Sequence, residues 1–86
     1  MINEEKNPVE WAMLQYELDD ARDHLETLLQ DMSESADFTD EDFAAHSGHI
    51  FAHLNRAWNT RGVDSELTSD QTDATSHFPT DLKPVG

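Results

Sequence analysis

The stretch WAMLQYELDDARDHLETLLQDM, residues 11–32, decides the fold. Trp11, Leu14, Leu18, Ala21, Leu25, Leu28 and Met32 recur in alternating steps of three and four, the spacing that keeps side chains on one seam of an α-helix. The pattern holds for about three heptads. Glu17, Asp19, Asp20, Arg22, Asp23, Glu26 and Asp31 occupy the other faces, so the helix is amphipathic and its seam needs a partner. Upstream, Asn7 suits the N-cap and Pro8 the first helical position, where a missing N–H costs nothing; Glu10 favours the positive end of the helix dipole. A helix over about residues 8–32 follows, preceded by a flexible N-terminus, residues 1–7.

Ser33 to Asp37 breaks the period with turn-forming and charged residues and is short enough to return the chain antiparallel. Thr39 then fits an N-cap, with Asp40, Glu41 and Asp42 in the first turn and Phe38 and Phe43 placed as a hydrophobic staple. Phe43, Ile50, Leu54 and Ala57 form a second seam, broadened by Phe51 and Trp58, and Gly62 is available as a C-terminal cap. The second helix is expected over about residues 40–61. Residues 62–86 are rich in Ser, Thr, Asp and Pro without a sustained apolar period, so a disordered acidic tail is expected. Such a tail is expected to serve as a solvated extension, with His77-Phe78-Pro79 and Leu82-Lys83-Pro84 as short docking motifs in the alternative.

The expected fold class is thus all-α, an antiparallel two-helix hairpin. One such hairpin makes a thin core, which leads to a homodimer packed as a four-helix bundle, with Trp11, Leu28, Phe51 and Trp58 as interface residues. Folding of the tail over that surface is the competing arrangement, disfavoured by its few apolar residues.

Charge and composition narrow the function. With 19 acidic residues against 5 Lys and Arg, the net charge of −14 disfavours nucleic acid backbones and anionic membranes. No segment approaches the roughly 20 apolar residues of a membrane span, and Met1 to Lys6 lacks the features of a signal peptide, so a cytoplasmic location is expected. Without cysteine there is no disulfide, thiolate nucleophile or thiolate metal site. Ser47 lies in no nucleophile elbow, the three glycines make no phosphate loop, and the carboxylates of the first helix are solvated, so no enzyme is expected.

One constellation carries chemistry. His46, His49 and His53 stand at i, i+3 and i+7 on one stripe of the second helix. Antiparallel counting from a midpoint near residue 36 sets His24 opposite His49 and Asp20 opposite His53, with Glu17 on the same side. Such a set could take a divalent transition metal or sense pH, and the alternative is that these histidines border the core or face solvent. No Glu stands three residues before a histidine, so the di-metal bundle motif is absent. Fourteen acidic residues precede Phe43, whereas Phe43 to Arg61 carries two arginines and no carboxylate. The leading expectation is therefore a small non-enzymatic protein acting through protein contacts. A protein partner with a basic surface, bound as a nucleic acid mimic would bind it, is the further alternative.

Overall fold

A computed structural model describes all 86 residues as an all-helical chain without strands: α1 (Pro8–Glu34), α2 (Asp40–Thr60) and a short α3 (Ser69–Ala74). Pro8 opens α1, and Asn7 takes the N-cap position, but its side chain makes no capping bond. The helix runs two residues past the expected end and stops where Ser35 turns extended, its N–H still bonded to the Asp31 carbonyl. At Thr39 the start of α2 is written in side chains. The Asp42 N–H donates to Thr39 Oγ1 at 3.2 Å and the Thr39 N–H donates to Asp42 Oδ2 at 3.1 Å, and the Phe38 and Phe43 rings meet edge to face at 6.4 Å. Gly62 does not serve as a left-handed cap, because Arg61 ends the helix in right-handed geometry.

Cross-helix contacts pair Asp31 with His46, His24 with His49, and Glu17 with His53, a descending against an ascending series that makes α1 and α2 antiparallel. Leu14, Ala21 and Leu28, seven residues apart, are the buried residues of α1. Ala57 of α2 joins Ile2 and Leu14 in a small cluster against which Trp11 packs. Only half of the expected α1 seam is therefore enclosed. Leu18, Leu25 and Met32 remain about half exposed, because α1 is rotated to bring Glu17, His24 and Asp31 into the contact. Its physical cause lies on α2, where His46, His53 and Arg56 face inward and need partners once removed from water.

Both chain ends correct the expectation of flexible segments. Ile2 is buried, and its N–H donates to the Arg61 carbonyl at 2.7 Å, so the N-terminus closes the open end of the hairpin. Residues 62–86 are not a disordered tail: they form α3, begun by a Thr68–Gln71 capping box, and return along the back of α2. Side-chain amides hold them there. Asn55 donates to the Ser76 carbonyl at 3.0 Å, and Asn59 to the carbonyls of Thr75 at 2.8 Å and His77 at 2.9 Å. Phe78 meets Phe51 at 5.3 Å, and the Trp58 indole N–H donates to Asp81 Oδ1 at 2.9 Å, with Arg61 lying over the indole ring. Hydrogen bonds from α2 side chains thus anchor a tail that has few apolar residues.

That docking carries a pH signature. The Trp58 N–H, opposed by desolvation and assisted by Arg61, holds the Asp81 carboxyl below its ordinary value of 3.8. A carboxyl whose value is depressed on folding contributes above the ordinary value and loses its contribution as pH falls through the depressed one. The Trp58 indole N–H resonance is expected to stay constant on acidification until pH passes below 3.8 and then to shift, whereas Asp81→Asn abolishes that step. A resonance insensitive to pH in the unaltered protein would contradict the Asp81 contact.

Candidate functional site

Two features flank the contact between α1 and α2, one polar and one apolar. On one edge, all four helix-borne histidines meet α1 partners or one another. His46 Nε2 lies 2.9 Å from Asp31 Oδ2. The His24 ring stacks on His49 with centroids 4.8 Å apart and planes within 2°, and on His53 at 5.2 Å. His53 Nδ1 lies 2.7 Å from Glu17 Oε2, while Arg56 Nε donates to Glu17 Oε1 at 2.9 Å. Arg56 Nη2 also stands 3.0 Å from His53 Nδ1. A carboxylate only accepts, so the short contact to Glu17 requires the proton on His53 Nδ1, and the Arg56 approach to that nitrogen is not a second hydrogen bond.

The antiparallel counting is matched in part. His24 does face His49, but Asp20 is exposed and does not reach His53, and Glu17 takes its place. At about 100° per residue, Asp20 lies about 60° farther from the contact than Glu17, toward solvent. As the rings stand, no three His, Asp or Glu side chains are arranged around a common ion position. A cleft of about 250 Å³ opens beside Glu17 and Arg56, walled by Val9 and Met13 of α1 and by Val63 and Leu67 after α2. Of its carboxylates, Glu17 is already bonded to both Arg56 and His53, while Glu10 and Glu66 line the rim beside the apolar walls.

The other edge is hydrophobic. On α1, Glu17, His24 and Asp31 each follow a buried residue by three positions, about 60° to one side, while Leu18, Leu25 and Met32 follow by four, about 40° to the other. On α2, His49 and Arg56 lie about 40–60° to one side of His53, and Phe43, Ile50 and Leu54 about 60–100° to the other. The His24–His49 stack shows that the histidine flanks share one edge. Leu18, Leu25, Leu29, Met32, Phe43 and Leu54 consequently gather on the opposite side, each 42–59 % exposed. No carboxylate interrupts this face: Asp19, Asp20, Asp23 and Glu26 project from the back of α1, and α2 has none after Asp42.

The residues expected at an interface between copies are engaged elsewhere. Leu28 is buried within the hairpin, Trp11 packs on the Ile2 cluster, and Phe51 and Trp58 meet the tail. Asn55 and Asn59, which lie off the apolar seam of α2, are the amides that hold the tail; their pairing on one face at i, i+4 is the signal the sequence offers. No helix is long and apolar enough to cross a membrane. No family model, curated protein or solved structure matches this chain.

Proposed function

We propose that this chain is a non-enzymatic, acidic helical protein that works through protein–protein contacts, and that its principal contact is with a second copy of itself. The apolar face of Leu18, Leu25, Leu29, Met32, Phe43 and Leu54 carries this reading. It is a large contiguous apolar surface on a chain with only six buried residues, and surfaces of that kind mark association sites. An antiparallel hairpin offers the same face to its copy about a two-fold axis, α1 of one protomer crossing α2 of the other, to give a four-helix bundle. Charge favours the same occupant. The carboxylates of α1 stand on its back or on the histidine edge, and α2 carries none beyond its first turn, Asp40 to Asp42, so the greater part of the two faces meets without opposing like charges although each chain carries −14.

Sedimentation equilibrium across micromolar concentrations tests this. A mass of twice 9.8 kDa is expected, and added salt should strengthen the assembly by screening the repulsion between acidic chains. Complexes of an acidic face with a basic partner show the reverse salt dependence. A 9.8 kDa species at every concentration and salt level overturns the proposal and leaves the face to a different protein.

A further inference from the structure

We propose that His24, His49 and His53 form a binding site for one divalent transition-metal ion, with Glu17 as the positioning residue behind His53. Position is the first argument. Two imidazoles bound through nitrogen at about 2.0–2.1 Å to a tetrahedral ion have ring centres about 5 Å apart. The His24 ring centre lies 4.8 Å from that of His49 and 5.2 Å from that of His53. His49 and His53 are also four residues apart on α2, the spacing at which two helical side chains grip one ion.

Orientation is what the resting rings lack. They are stacked, so their in-plane lone pairs run side by side instead of converging. The torsion that turns an imidazole about its Cβ–Cγ bond is broad and soft, so reorientation needs little energy and no backbone movement. His49 is exposed and free to turn.

Glu17 supplies the independent observation. A metal-bound histidine characteristically donates its second ring N–H to a carboxylate, which sets the tautomer and raises the basicity of the other nitrogen. His53 is already held in this way, its Nδ1 proton on Glu17 Oε2, which leaves Nε2 as the nitrogen free to bind the ion. Arg56 does not oppose a cation with its full charge, because Glu17 accepts its Nε–H at 2.9 Å. Imidazole donors select zinc, copper, nickel or cobalt over magnesium or calcium. His46 stays outside the set, since its Nε2 is committed to Asp31. Asp20 stays outside too, being turned to solvent.

The experiment is calorimetric titration of the metal-free 86-residue chain with Zn(II), paired with long-range ¹H–¹⁵N spectra of its histidines. One ion per chain is expected, with the ring-nitrogen resonances of His24, His49 and His53 displaced and the His53 Nδ1 proton retained. His49→Ala removes an exposed ring, so the hairpin is expected to keep its helical circular dichroism while affinity falls by about tenfold or more. His77→Ala, in the tail, should leave the affinity unchanged. Absence of stoichiometric uptake overturns the site, as does uptake that survives His49→Ala undiminished or disappears with His77→Ala. Stoichiometry is counted per chain, so the result does not depend on whether the chain dimerises.

Discussion

Leu25→Asp is expected to convert the proposed two-copy assembly into a monomer of about 9.8 kDa while leaving the hairpin folded. Leu25 sits in the middle of α1 and is half exposed within the protomer, so its replacement removes little from the hairpin's own packing. In the proposed bundle the same position is enclosed by the second copy. An ionised carboxylate placed there has no partner, since the only nearby cation on that flank of α1 is Arg22, which is paired with Asp19. Burying it would cost about 4 kcal/mol or more, roughly a thousandfold in the dissociation constant, and the two-fold axis applies the penalty twice. Sedimentation velocity reads the mass and far-ultraviolet circular dichroism reads the helix content. A Leu25→Asp protein that still sediments as a dimer would show that the apolar face is not the contact.

Leu14→Ala is expected to produce the largest loss of stability among single truncations, about 2–4 kcal/mol. Leu14 is buried against Ile2 and Ala57, with Trp11 beside them, so truncation leaves a cavity that three elements would have to move to fill. Small domains hold about 5–15 kcal/mol in total, and a core this thin has little reserve. Leu18→Ala, the same chemistry one helical turn later, is expected to cost well under half as much when measured at dilutions where the chain is monomeric, because Leu18 is already about half in water. Urea unfolding compares the two by their midpoints at constant slope. Equal losses at Leu14 and Leu18 would place the helix contact on the symmetrical seam that the heptad pattern suggests, against the rotation seen here.

That rotation marks the boundary of what local sequence can specify. The helices were legible because their signals lie within a few residues of one another. Pro8 opens α1, Thr39 and Asp42 cap α2, Phe38 and Phe43 staple it, and Ser33 to Asp37 breaks the period between them. Antiparallel pairing followed from the shortness of that break, and with it the meeting of His24 with His49 and the placement of Glu17 on the histidine edge.

What only the tertiary structure decided is which part of each amphipathic stripe is enclosed. Apolar periodicity gives a helix a preferred side to within tens of degrees, and Leu14, Leu18, Leu25 and Leu28 are equivalent by that criterion. Partner demand breaks the tie: His46, His53 and Arg56 on α2 must find Asp31 and Glu17, and turning α1 to meet them pushes Leu18, Leu25 and Met32 outward. The return of residues 62–86 was hidden for a related reason. Its anchors are amide-to-carbonyl bonds from Asn55 and Asn59 and the Trp58–Asp81 bond, between groups 16 to 23 residues apart. Hydrophobic patterning cannot register such bonds, since a backbone carbonyl looks the same in every sequence. Short-range capping and periodicity therefore settle where this chain is helical, while long-range polar satisfaction settles which faces are spent inside the protomer and which remain for a partner.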